Sequence, residues 1–565
     1  MMRMNVRSRG GKLVLAVTLL AGGLAAAMAQ TVPVQTSPAS QAVAGRGGRG
    51  GRGTPPSTRA VELRGQYGPY RANNDLLSYH LDVRIDPEKK TIAGRNTVKF
   101  KMLKDDTRIQ LDLADALKVE KVLQGTAELK YERDSGALFI DFPQAKAGET
   151  VTIDVHYSGT PAQGLTFRTD AAGRPWICSS CEGPGSSTWW PSKDQWTDEV
   201  ENMEISVAVP NGLMDVSNGK AAGKTDLGDG YTRWDWHVSY PINSYGVSVN
   251  VGNYVHFDDQ YQDVPMDFYC LPEDLEKAKS QFSQAKGMLE AYDHYFGEYP
   301  FKKDGYKLVE ASYVGMEHQS AVTYGNGFVN GYNRADWTGV GISPRFDFII
   351  IHESGHEYFG NAVTAKDKSD MWIHEGWTTY LEQLYVEHRW GREDGLKYIN
   401  GYKPKIRNQF PIIGTRGTSA SARDNDQYFK GALFLNTLRS VIDDDEKWFK
   451  LLHDCFQHFK YRDIMTEDLV AWFNEQTKMD LTPMFDEYLR HAALPVLELK
   501  FDEAAGTMGY RWKADEAKFA MPIKVLINGH VELVKPTAEW QTFKTTKREE
   551  PGVFLDLYYI NVSRE

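Results

Sequence analysis

The chain has 565 residues, 41% hydrophobic and 25% charged, which excludes disordered, fibrous and collagen-like classes and leaves room for about two to four domains. Its formal charge of −11 becomes about −15 once the four positive residues of its first 29 are removed, and so acidic a surface speaks against nucleic acid as a partner. Four cysteines are too few for a disulfide scaffold of this length.

Residues 1–29 read as a secretory signal. Arg3, Arg7, Arg9 and Lys12 precede the apolar run LVLAVTLLAGGLAAAM, and the small residues ending at Ala29 suit a signal peptidase. Cleavage after Ala29 and export to a periplasm or the extracellular space are expected. No other run reaches the ~18 apolar residues of a membrane-spanning helix, so no stable membrane insertion is expected of the mature protein. Residues 30–66, with SPASQAVAGRGGRGGRGTPPST, have almost nothing to bury and are expected to be a disordered Gly/Arg/Pro/Ser linker. From 67 to 256 segments such as SYHLDVRID, NTVKFKML and MEISVAVP alternate apolar and polar residues between turn formers, which predicts an N-terminal antiparallel β domain. Within it, Cys178 and Cys181 lack the second pair that a zinc ribbon needs and the helix start that a thioredoxin-like site needs. In an oxidising compartment a short-loop disulfide is expected there, ahead of two free thiols.

From 257 to 495 the period lengthens, as in PEDLEKAKSQFSQAKGMLEAYDHYFGEY, predicting a mainly helical domain. Strand patterns return in VLELKFDE and AMPIKVLING, so a small β domain is expected over 496–565. The whole is a multi-domain α+β chain.

The helical part carries HESGHEYFGNAVTAKDKSDMWIHEGW, residues 352–377. On a helix starting near Ser343 and Pro344, His352 and His356 lie four apart on one face, a spacing that suits two ligands of one zinc ion. Glu375, from a second helix beginning near Asp370, supplies a third ligand, and Glu353 is placed to act as a base on activated water.

HExxH followed by eighteen residues and a glutamate in WIHEGW resembles the gluzincin aminopeptidases, the family of membrane alanyl aminopeptidases and leukotriene-hydrolase-like metallopeptidases. Two further family motifs appear in order: VGMEHQSA, containing Gly315, Met316 and Glu317, and DQYFKG, containing Tyr428, Lys430 and Gly431. WWPSKD, with Trp190, Pro191 and Asp194, is similar to a motif of the family's β domain, and Glu182 lies nine residues before Pro191. The likeness spans about residues 70–560. It implies a thermolysin-like catalytic domain, a small C-terminal β-sandwich in last place, and no long helical C-terminal domain. It further implies one Zn2+ per chain, Tyr428 as donor to the oxyanion, and Glu317 and Glu182, with Gly315 and Met316, as the binding site for a free α-ammonium. Ser180, His318 and His374 depart from the usual Gln, Asn and Asn.

The function so implied is release of N-terminal residues from peptides by metal-activated water, with Glu353 as general base and peptides with a free N-terminus as partners. A zinc endopeptidase with the same ligands, and a catalytically impaired zinc-stabilised binding module, are the alternatives. Glu317 and Glu182 weigh against the first, and the joint presence of Glu353 and Tyr428 weighs against the second.

Overall fold

In the β-rich N-terminal part, the strand Asn74–Asp86 buries Tyr79, Leu81, Val83 and Ile85 while the residues between them are half-exposed, the period of two that a sheet with one covered face requires. The computed structural model describes residues 58–419 and 424–565. The expected signal peptide, and the linker up to residue 57, lie outside the described residues.

That strand lies inside an eight-stranded sheet, antiparallel to Thr91–Met102 with Tyr79 opposite Val98, and parallel to Asn202–Pro210 with Leu81 opposite Ile205. The domain expected to be antiparallel is therefore mixed at this pair, because the chain returns to the central strand only after a long excursion. A second, four-stranded sheet includes Leu165–Thr169 and Pro175–Ser179, and the latter strand runs straight into the turn that carries Glu182.

The linker expected up to residue 66 ends sooner. Arg59–Gly65 forms a helix, capped by the Thr58 hydroxyl on Val61 N, with Val61, Leu63 and Arg64 half-buried and Gly65 buried. The short VEL segment was too small a signal beside the Gly/Arg tract, and tertiary contacts hold it.

Residues 257–495 do not begin helical. Val255–Tyr261 and Val264–Cys270 pair with each other and continue through Tyr306–Glu310 and Val322–Tyr324 to the edge strand Gly315–Met316, making a five-stranded sheet. The expected boundary at 256/257 thus falls inside a strand. The long helix expected after Pro272 is two helices, Leu275–Phe282 and Gln284–Phe296, interrupted at Ser283, whose hydroxyl bonds back to the Ser280 carbonyl. The remainder is helical, with Phe348–Gly355, Trp372–Trp390, Asp426–Ile442 and Asp445–Phe459 packed around Trp377, Tyr380, Phe434 and Trp448.

The last part is β-rich. One sheet contains Val496–Asp502 and Thr507–Lys513, the other Ile523–Ile527 and His530–Val534, with Leu497, Leu499, Trp512, Ile523 and Val525 buried. It is tied to the helices where Tyr559 N donates to Thr437 Oγ1 (2.9 Å) and the Tyr488 hydroxyl to Tyr559 O (2.8 Å). Among the described residues no helix is long and apolar enough to cross a membrane.

The expected Cys178–Cys181 bridge is absent, and all four cysteines are free and buried. Cys178 is in an extended strand, where residues three apart point to opposite faces. Cys181, beyond the strand end, instead accepts from Trp189 Nε1 at 3.2 Å. Alkylation of the unfolded, unreduced chain is expected to add four groups per molecule. Mass spectrometry finding fewer would place a bridge where the structure has thiols.

Candidate active site

The first ligand helix, Phe348–Gly355, does not start at Ser343 and Pro344, which form a separate 3-10 turn. Its N-cap is Asp347, whose carboxylate accepts from Ile349 N (3.1 Å) and Ile350 N (3.4 Å) and is itself gripped by Tyr324 Oη and Asn326 Nδ2. The helix therefore enters the site from a fixed, buried cap. His352 and His356 project from one face with ring centroids 5.0 Å apart.

Each imidazole is oriented from behind. His352 Nδ1 lies 2.6 Å from Glu382 Oε1, and the other oxygen of Glu382 accepts from the hydroxyls of Tyr398 (2.7 Å) and Tyr402 (2.5 Å). His356 Nδ1 lies 3.0 Å from the Phe359 carbonyl, which can only accept. Both Nδ1 atoms thus carry the proton, and both Nε2 lone pairs are free. They face Glu375 Oε2 at 3.5 and 3.3 Å, and that oxygen is buried with no hydrogen-bond partner.

Glu375 stands in the first turn of Trp372–Trp390, a helix that starts two residues after the expected start near Asp370. The connection before it contains a short strand, Val363–Ala365, paired with Arg462–Ile464. The three ligand atoms of His352, His356 and Glu375 lie within 4.8 Å of one another. Two free imidazole lone pairs and an orphaned carboxylate oxygen are the donor set of a catalytic zinc site with one open position. The residues present fit that metal.

Tyr428 reaches the site because two helices touch backbone to backbone. A Cβ on Gly376 would lie 2.9 Å from Gln427 O and 3.2 Å from Gly431 Cα, so glycine at both crossing points lets Asp426–Ile442 close onto Trp372–Trp390. Lys430 secures the arrangement from the far side, donating to His491 O (2.9 Å) and Ala492 O (3.0 Å). The half-buried Tyr428 ring lies 6.2 Å from that of His352. Burial, then the charges of Glu375 and Glu182, push its phenol well above the usual range, so it remains a donor.

Gly315 and Met316 form the edge strand beside the first ligand helix. A Cβ on Gly315 would lie 2.8 Å from Glu353 Oε1, so the glycine admits the Glu353 carboxylate against the strand. Glu317 follows, 3% exposed, with Oε1 unpartnered and its backbone carbonyl fixed by Asn361 Nδ2 at 2.8 Å. Glu182, half-buried, approaches from the β-rich part. Burial, then the Glu375 charge, raises its carboxyl well above the ordinary range; burial, then the Glu182 charge, does the same to Glu317. Burial also raises Glu353, against the pull of His352 and His356. For Glu375 burial acts upward too, and only protonated imidazoles at His356 and His352, the metal-free state, would outweigh it and hold that carboxylate below its usual range; neutral imidazoles carrying a metal on Nε2 would not.

Two of the three departures from the usual pattern are buried. His318 is fully buried with Nε2 unpartnered, and burial pushes its pKa down to about 3. His374 accepts from Ala365 N (2.9 Å) and stacks on Trp196 with centroids 5.0 Å apart. It pins the start of the Glu375 helix to the β-rich part. Trp189 and Trp190 are wholly buried packing residues. Ser180 does touch the pocket side, its hydroxyl 3.6 Å from Met316 Sδ. Glu382 was not singled out from the sequence, although its position seven residues after Glu375, two turns along one helix face, is a legible signal.

Models of the peptidase M1 N-terminal domain and of the peptidase family M1 domain match residues 76–245 and 280–488. The chain belongs to the M1 peptidase family. It is 25% identical over 464 residues to aminopeptidase N of Streptomyces lividans, covering 76% of this chain and 52% of that protein. It is 24% identical over 478 residues to human glutamyl aminopeptidase, covering 77% and 48%. The chain thus spans about half the length of the curated relatives it matches. Its fold is shared with the M1 zinc metallopeptidase of Deinococcus radiodurans, at 20% identity, TM-score 0.62, and 74% of this chain against 93% of that one. A mutant of that protein, bound to a Tyr-ser-ala substrate, matches with TM-score 0.61 at 21% identity over 74% and 94%. Membership of a zinc metallopeptidase family implies one zinc ion, and His352, His356 and Glu375 are a group that could hold it.

Removing the carboxylate behind His352 is expected to weaken zinc retention. Glu382→Ala should lower zinc affinity by about 10- to 100-fold, measured by competition with a chromogenic chelator. Unchanged affinity would show that the Tyr398 and Tyr402 clamp does not act on the metal.

Proposed function

We propose that this chain is a zinc-dependent aminopeptidase that hydrolyses N-terminal residues from peptides. The observation that carries the reading is the pair Glu317 and Glu182, carboxyls set beside the candidate metal ligands with, among the described residues, no cationic side chain forming an ion pair with either carboxylate, Glu317 being buried with one oxygen unpartnered. A substrate ammonium is the cation that such a pair accepts, through charge-assisted hydrogen bonds.

His352, His356 and Glu375 would hold the zinc, which when bound would supply Lewis-acid chemistry toward the carbonyl and water. Glu353, fixed between the ligand helix and the Gly315 strand, takes the proton of the attacking water and delivers it to the departing nitrogen. Tyr428, kept protonated, donates to the oxygen on which charge develops. Glu317 and Glu182 hold the α-ammonium, so that the bond after the first residue lies at Glu353. An internal segment offers them no cation, which favours an exopeptidase over an endopeptidase.

The test is an aminoacyl chromogenic amide against its N-acetylated form, with a chelated and zinc-restored control. Cleavage of the free amine alone, lost with chelator, is expected; equal cleavage of both forms would sink the exopeptidase reading. Glu353→Gln should keep zinc bound while turnover falls to background, and a variant as active as the parent would remove Glu353 as the base.

Export belongs to the same proposal and rests on the Arg-rich start and apolar run of residues 1–29. Chemical sequencing of protein recovered from the periplasm or medium is expected to begin at Gln30. An intact Met1 on exported protein would overturn cleavage after Ala29.

A further inference from the structure

The helix Arg59–Gly65 lies ahead of both matched domains, yet it touches two loops that lead into the site. On one side the Arg64 guanidinium donates to the carbonyl of Pro184, two residues after Glu182. On the other, Val61 O accepts from Ser419 N (3.2 Å) and Ser419 Oγ (3.1 Å), on the segment that runs toward the Tyr428 helix. Gly65 is packed so closely there that a Cβ would lie 2.3 Å from the Thr418 backbone. The helix is held in turn by the β-rich part: Arg71 Nη1 donates to Arg64 O and Gln66 O (both 2.8 Å), Gln110 Nε2 donates to Leu63 O (3.1 Å), and Arg59 pairs with Asp134.

The Glu182 turn is held at its two ends by Trp189 Nε1 on Cys181 Sγ (3.2 Å) and Thr188 Oγ1 on Gly185 O (2.6 Å). Lys368 Nζ donates to Glu182 O (2.8 Å) and Gly183 O (3.2 Å), and Gly185 N donates to Cys181 O (2.8 Å). Arg64 and Lys368 therefore hold successive carbonyls of one turn, Arg64 from the N-terminal helix and Lys368 from the segment before Glu375. A charged donor on a backbone carbonyl fixes position without supplying a group to the substrate.

We propose that Arg64 is a positioning residue of the substrate site, and that the Arg59–Gly65 helix is its support, setting the Glu182 carboxylate against the α-ammonium. This rests on the reading of Glu182 as an amine-binding group. The helix is thus a working part of the binding site contributed by residues outside both conserved domains.

The experiment is a double-mutant cycle in the full-length zinc-loaded chain, using Arg64→Ala, Glu182→Gln and the pair, with an aminoacyl chromogenic amide. Loss of one charged hydrogen bond is expected to raise KM about three- to tenfold in R64A with kcat within about twofold, and to add nothing further on the E182Q background. Arg64→Lys, which keeps a donor, should recover most of the KM and guards against a folding defect in R64A. A KM in R64A equal to the parent's, or a rise that persists in full on the E182Q background, overturns the proposal while leaving the amine reading intact. An E182Q enzyme with the parent's KM removes the amine reading of Glu182, and this proposal falls with it.

Discussion

Four carboxylates, Glu182, Glu317, Glu353 and Glu375, meet in a largely dehydrated space with two imidazoles, and the site depends on what balances them. Burying ionised groups without partners is costly, and proteins answer by neutralising them or supplying cations. Here carboxyls outnumber imidazoles: His352, His356 and Glu375 form a donor set that could hold a metal, and burial together with neighbouring carboxylates raises Glu182 and Glu317, which the proposed function assigns to an ammonium. A metal and an ammonium would each offset part of that imbalance.

Holding that imbalance in place requires rigid support. His352 is backed by Glu382 with two tyrosine hydroxyls, and Asp347 caps its helix from within the core. The Gly376–Gly431 contact brings a third helix close enough for Tyr428 to stand over the metal ligands. Lys430, beside Tyr428 in the same short motif, spends its charge on the carbonyls of His491 and Ala492 and never enters the site. Residues adjacent in one motif thus divide into chemistry and scaffold.

The site is also a joint between parts of the chain. Trp196 stacks on His374 next to a metal ligand, Glu182 arrives from the end of a β strand, and the Arg59–Gly65 helix bridges the Glu182 turn and the approach to Tyr428. Substrate recognition and metal binding are therefore built from different parts of the chain, and their relative placement is a property of the packing between them.

How much of this was legible in sequence follows from distance along the chain. His352, His356 and Glu353 sit within one helical turn or so, where a period of 3.6 residues dictates which side chains share a face, so the ligand pair and base could be read directly. Alternation of two marked the outer β-rich parts for the same local reason. The early strands of the catalytic region, the helix break at Ser283, the Asp347 cap and the Arg59–Gly65 helix were missed, since each depends on contacts that outweigh a weak local pattern. The free thiols of Cys178 and Cys181 were missed because the flanking residues read as loop, whereas Cys178 lies in a strand that ends at Ser179 and Cys181 beyond it accepts from Trp189 Nε1. The sequence by itself determined the order of β, helical and β parts and singled out His352, His356 and Glu375, which the fold brings together, as the candidate metal group. Only the tertiary structure decided that Glu182 comes to Glu375, that His374 stacks on Trp196 and accepts from Ala365 N, and that a helix ahead of both matched domains touches the Glu182 turn, because those meetings join residues far apart along the chain through packing, which no local periodicity records.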